Sequence, residues 1–124
     1  MPVVRTADIQ PHQMHGSTFT PLIRPTTGSA ELCVWRLDIG PGTTGVEHRI
    51  HGEEAFVLLS GSVSISIDGE SHTLAPGDAA VAPVGSLIGL TTPADAPATV
   101  MVTAAVGFTG ELPDGTIVDP PWVN

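Results

Sequence analysis

The chain has 124 residues, enough for one domain that buries roughly two-thirds of its unfolded surface. It contains no lysine, four arginines and thirteen acids; the formal charge of -9 repels phosphate backbones and anionic lipid, so neither nucleic acid nor membrane is expected as a partner. Cys33 is the only cysteine and allows no intrachain disulfide; with no signal-like apolar run and no stretch of about 18 apolar residues, the cytoplasm is the expected location.

Residues 1 to 30 mix polarities and carry Pro2, Pro11, Pro21 and Pro25, which predicts short edge strands and loops. Residues 32 to 39 read as a strand stopped by Gly40-Pro41-Gly42. Residues 55 to 60 are a mostly apolar strand broken at Gly61. Val63, Ile65 and Ile67 alternate with serines, one face buried and the other small and polar, and Asp68-Gly69 is a hairpin turn that needs positive φ. Thr73-Leu74 leads to a turn at Pro76-Gly77-Asp78, a strand over 79 to 82, and a break at Pro83. Further strands follow over 87 to 91 and 98 to 106, separated by a loop with Pro93 and Pro97. The tail beyond Glu111 is proline-rich and extended, with Trp122 as an anchor against the barrel or a partner subunit. Helical periodicity is absent, and Gly and Pro punctuate the chain at short intervals. About eight strands in one small domain predict an all-β double-sheet jelly roll. A single domain over 1–124 is expected, with a core at about 31–108, an N-terminal arm at 1–30 and a tail at 109–124.

Two spacings in this framework stand out. The first is Gly42-x5-His48-x-Ile50-x3-Glu54-x6-Gly61, and the second is Gly77-x5-Pro83-x-Gly85-x2-Ile88-x3-Thr92. Together they resemble the two motifs of the cupin family, G-x5-H-x-H-x3-E-x6-G and G-x5-P-x-G-x2-H-x3-N, in the correct order and over most of the chain. The glycines and the proline report backbone geometry and so bear on fold. In metal-binding cupins the histidines and the glutamate hold a divalent ion inside the barrel. The resemblance therefore implies that His48 and Glu54 occupy ligand positions, while Ile50 and Ile88 stand where the family has histidine. Two ligands bind a transition ion poorly. His51 and His15 are the candidates for a third; strand alternation puts His51 on the face opposite His48 unless the turn at Gly52 rotates it inward.

His48 and Glu54 are expected to face a cavity made apolar by its neighbours, with a pocket drawn from Ile50, Phe56, Ile88, Trp35, His15 and Arg36. A carboxylate in such a place has a raised pKa, which a nearby histidine offsets. The pair reads either as an acid–base couple acting on a small molecule or as a relict hydrogen bond between strands. Arg36 and Arg49 either pair with acids or meet a carboxylate substrate. Cys33 reads as a buried small hydrophobe. Glu53, His12 and His72 read as surface. No nucleophile elbow, phosphate loop or paired CxxC is present.

Three functions remain open. One is a metal-independent enzyme of isomerase, epimerase or lyase type with no cofactor. Another is a metal-dependent cupin enzyme holding a divalent transition ion through His48, Glu54 and His51 or His15. The last is a non-catalytic ligand-binding protein. A small molecule is the expected partner in each, and the resemblance implies a homodimer.

Overall fold

A computed structural model describes residues 3–124, and the expectation for Pro2 falls outside them. Twelve strands form two six-stranded antiparallel sheets. The first sheet contains β1 (His12–Met14), β2 (Ser17–Ile23), β3 (Leu32–Ile39), β5 (Glu54–Gly61), β8 (Ala79–Ala82) and β10 (Ala98–Ala105), in the order β1-β2-β3-β10-β5-β8. The second contains β4 (His48–Ile50), β6 (Val63–Ile67), β7 (Glu70–Leu74), β9 (Leu87–Thr91), β11 (Gly110–Glu111) and β12 (Ile117–Val118), in the order β12-β11-β4-β9-β6-β7. This is the double-sheet jelly roll predicted from the alternation of apolar residues. The strands in excess of eight include β1, β4, β11 and β12, each of two or three residues and too short to show a period of two.

The N-terminal segment corrects one expectation. Residues 17 to 23 are not a loop or a sheet edge, because β2 pairs with β1 on one side and β3 on the other. Pro21 is tolerated because β1 reaches only Ser17 to Phe19, leaving no neighbour on that side to miss its N–H. The register with β3 shifts just beyond it, between Pro21 and Ile23.

Alternation decides what each strand buries. In β3, Cys33, Trp35, Leu37 and Ile39 point inward while Leu32 and Arg36 face solvent. In β5, Glu54, Phe56 and Leu58 point inward and Val57 and Leu59 outward. The β6–β7 hairpin turns at Asp68 and Gly69, both at positive φ, as the sequence predicts. The inner faces meet in a continuous apolar core. Leu58, Val63, Ile65 and Val100 are fully buried within it and fill the space between the sheets.

The C-terminal segment is folded back onto the barrel. Trp122 stacks on Phe19 with ring centroids 3.8 Å apart, so the anchor predicted for it lies within its own chain. The Cys33 thiol donates to the Val123 carbonyl at 3.0 Å, and the Arg24 guanidinium donates to the Pro121 carbonyl at 3.0 Å. Burial pushes the Cys33 thiol pKa up, which suits an unreactive packing residue. No helix among the described residues is long and apolar enough to cross a membrane.

Candidate active site

The barrel is not filled throughout. A cavity of about 290 Å³ opens between the sheets, with Trp35, Leu37 and Ile39 of β3, Phe56 of β5, Ile88 and Leu90 of β9 and Val102 of β10 in its wall. His48, Glu54 and His15 contribute the ionisable groups. Phe19, Phe108, Pro120 and Trp122 add further wall from the N-terminal strand pair and the tail.

Glu54 reaches the cavity because it begins the inward set of β5, two residues before Phe56. β5 lies between β10 and β8, and the residues directly opposite Glu54 are Ala104 and Ala82. Directly opposed residues share a sheet face, so the Glu54 side chain leaves the sheet between two methyl groups. Both alanines are buried, and neither side chain offers a hydrogen bond. Glu54 is 5 % exposed, and its Oε1 has no hydrogen-bond partner. Desolvation therefore acts unopposed and pushes the carboxyl pKa up to about 8. Glu54 is thus mostly neutral at pH 7, a proton donor in an oily chamber.

His48 enters from the opposite sheet, on β4. Its Nδ1 lies 3.1 Å from the Val46 carbonyl oxygen. A carbonyl only accepts, so Nδ1 carries the proton and the neutral ring keeps its lone pair on Nε2. Gly110 of β11 packs closely on β4: a Cβ built there would lie 3.1 Å from the Arg49 carbonyl oxygen. His48 and Glu54 line one cavity, but no hydrogen bond joins them. The relict strand clasp considered from the sequence is therefore absent.

His15 lines the cavity from the two-residue turn between β1 and β2, where His15 and Gly16 both adopt positive φ. Phe56, Ile88 and Trp35 lie in the wall as expected. Three other placements differ from expectation. Ile50 is fully buried, opposite Gly110 of β11, and does not line the cavity. Arg36 faces outward from β3 and makes a two-pronged pair with Asp38, at 2.9 and 3.1 Å. His51 sits on the outer face, its Nδ1 2.9 Å from Thr109 Oγ1 and its Nε2 3.0 Å from Glu111 Oε1. Both ring nitrogens are engaged there, so His51 does not complete a ligand set with His48 and Glu54.

The donors present do not fit a bound metal ion. No group of three or more His, Cys, Asp or Glu side chains among the described residues is placed to hold one. Ile88, directly opposite His48 on β9, supplies a hydrocarbon where a ligand would be needed.

Sequence reasoning missed Phe19, Met14 and Phe108, which no periodicity marks as inward-facing. It also missed the part played by Thr92, whose hydroxyl donates to the Gly40 carbonyl at 2.6 Å and accepts from the Thr43 N–H at 3.0 Å. Thr92 thereby fixes the loop that presents Thr43 to the cavity. Its place in the second motif was the available signal.

Comparison with known proteins agrees with this architecture. A cupin domain family model matches residues 35–104. The polyketide cyclase RemF from Streptomyces resistomycificus superposes with a TM-score of 0.78 at 20 % identity, covering 96 % of this chain and 84 % of that one. An RmlC-like cupin from Shewanella frigidimarina gives 0.73 at 16 % identity, covering 83 % and 88 %. A sugar phosphate isomerase of the cupin superfamily from Silicibacter pomeroyi gives 0.74 at 20 % identity, covering 91 % and 82 %. No curated protein matches the sequence.

Proposed function

We propose, for a chain that belongs to the cupin family, a small-molecule enzyme that works by metal-independent acid–base chemistry in the barrel cavity. The observation that carries this reading is the Glu54 carboxyl, buried without a hydrogen-bond partner and held neutral to about pH 8. Leaving a polar group unpaired in the interior costs roughly 1–3 kcal/mol, and a leucine there would cost nothing of the kind. Such a group suits a partner that arrives with the substrate.

Glu54 acts as the general acid, handing its proton to a substrate oxygen as negative charge develops there. His48 acts as the base, its Nε2 free to take a proton from carbon because Nδ1 is committed to Val46. The proton lost from carbon and the proton gained on oxygen balance, and the product of this half is an enol. Return of a proton to a different carbon completes an isomerisation, and expulsion of a leaving group completes an elimination. A carboxyl near pKa 8 is matched to neutral pH, where the acid form is plentiful and still gives up its proton readily.

The likeness to a polyketide cyclase and a sugar phosphate isomerase, at 20 % identity, carries the fold and leaves the choice of reaction open. Turnover of a library of enolisable carbonyl compounds tests the reading. Glu54→Gln and His48→Ala should each lower kcat by about two to four orders of magnitude while the variants stay folded. Unchanged turnover in both variants contradicts acid–base catalysis at this site. Elemental analysis of protein purified without chelator should find no stoichiometric transition metal.

A further inference from the structure

The cavity also constrains what enters it. None of the four arginines lines its wall, and the chain has no lysine. Arg36 is paired outside with Asp38, Arg49 Nη1 donates to the Gly85 carbonyl at 2.6 Å, and Arg24 is turned to the tail. Arg5 borders a separate surface groove. An anionic group in the cavity would therefore lose its hydration without meeting an arginine or lysine; the ionisable groups left to face it are the His15 and His48 imidazoles and the Glu54 carboxyl. Burying a charge without a guanidinium or ammonium partner disfavours binding.

What the wall does offer is aromatic surface. Trp35 and Phe108 meet at a ring-centroid distance of 6.2 Å, and Phe19 and Trp122 form the stacked pair at 3.8 Å. Rigid ring faces favour flat ligands, through offset or edge contacts that add to burial. A volume of about 290 Å³ suits a few fused rings and little more.

We infer that the ligand is an uncharged, flat, ring-bearing molecule that presents a carbonyl or hydroxyl oxygen to Glu54, and that carboxylates and sugar phosphates are excluded. This deepens the acid–base reading by naming the substrate class of the same site, and it rests on that reading only for the role of Glu54.

Both tryptophans of the chain, Trp35 and Trp122, line the cavity, so a ¹⁵N–¹H spectrum has two indole N–H signals and both report occupancy. The probes are 1-tetralone, its hydrocarbon parent tetralin, tetralin-1-carboxylate and glucose 6-phosphate, titrated at pH 7. Tetralone should shift both signals saturably, with the carboxylate and the sugar phosphate binding at least about tenfold more weakly. In Glu54→Leu, which removes the donor without leaving a cavity, tetralone should lose about three- to tenfold in affinity and tetralin none. Equal or tighter binding of either anion overturns the inference, as does failure of tetralone to shift the indoles. Binding is read without turnover, so the two claims separate. Tetralone bound as expected while no neutral substrate is converted leaves the ligand class standing and removes the acid–base reading. Glu54-dependent turnover of an anionic substrate does the reverse.

Discussion

His48 and Ile88 stand directly opposite one another in the β4–β9 ladder, and both side chains line the same cavity. Opposed residues in an antiparallel pair hold their Cβ atoms about 5 Å apart, close enough to share one ion. Position 88 is where metal-binding cupins place the histidine of their second motif. The isoleucine there is the substitution that most directly separates this cavity from a metal centre.

Ile88→His should therefore create a metal site from His48, Glu54 and the new imidazole. Cobalt(II) titration should give about one equivalent bound with a tetrahedral-type visible spectrum, against none for the unaltered protein. Adding Glu54→Gln to this variant should weaken the ion by about tenfold or more. Stoichiometric cobalt in the unaltered protein would show that a further side chain completes a ligand set with His48 and Glu54.

Glu54 also makes folding stability depend on pH. Its folded pKa of about 8 lies above its ordinary value of 4.5, so between those pH values the folded state holds a proton that the unfolded state has released. Stability is thus greatest below about pH 4.5 as far as this group is concerned. It declines as pH rises through the folded value, by an amount on the order of a few kcal/mol. Urea midpoints measured from pH 5 to 9 should fall in the native protein, and Glu54→Gln should remove this contribution. Glu54→Leu should exceed the native protein in stability at pH 8, because an unpaired acid is exchanged for a hydrocarbon of similar size. A native profile that Glu54→Gln leaves unaltered would mean that the carboxyl is solvated or paired in solution.

Thr92→Val should cost about 1–3 kcal/mol, since it removes a buried hydroxyl that serves both the Gly40 carbonyl and the Thr43 N–H. The loss should also raise amide exchange at Thr43. Thr92→Ser keeps the hydroxyl and should recover most of the stability. If valine is tolerated without change in either readout, Thr92 does not hold this loop.

Gly61 marks the close of the first motif, and its φ of 83° with no space beside it explains why glycine stands there. A Cβ at this position would run into the Pro97 carbonyl oxygen, which is backbone and cannot swing aside. Gly61→Ala should cost about 3 kcal/mol or more, read from the thermal midpoint. Gly69→Ala, with the same sign of φ but open space around it, should cost clearly less.

These glycines show why the fold was legible and the site only partly so. Gly61, Gly69, Gly77 and Gly85 all take positive φ, a requirement that this sequence meets with glycine at each of those positions. Alternation in β3 and β5 gave the inward positions of Trp35, Glu54 and Phe56 for the same reason. Alternation likewise turned His51 outward, where Thr109 and Glu111 hold it. It also sends Arg36 outward, against its expected place in the pocket. Of the arm and tail only Trp122 was legible, as an anchor; Phe19 and Phe108 meet the cavity through long-range packing that leaves no local period. The alanines that isolate Glu54 are ordinary strand residues until the ladder sets them beside it.

Titration of the Glu54 side chain tests the central claim most directly. With side-chain ¹³Cδ-labelled glutamate, the resonance missing from Glu54→Gln identifies the group, and its shift is followed from pH 3 to 10. A midpoint near 8 is predicted, with the carboxyl still mostly protonated at pH 7. A midpoint in the ordinary glutamate range, near 4.5, would contradict the account, since the cavity would then hold a carboxylate at neutral pH and lack the acid on which the proposed chemistry depends.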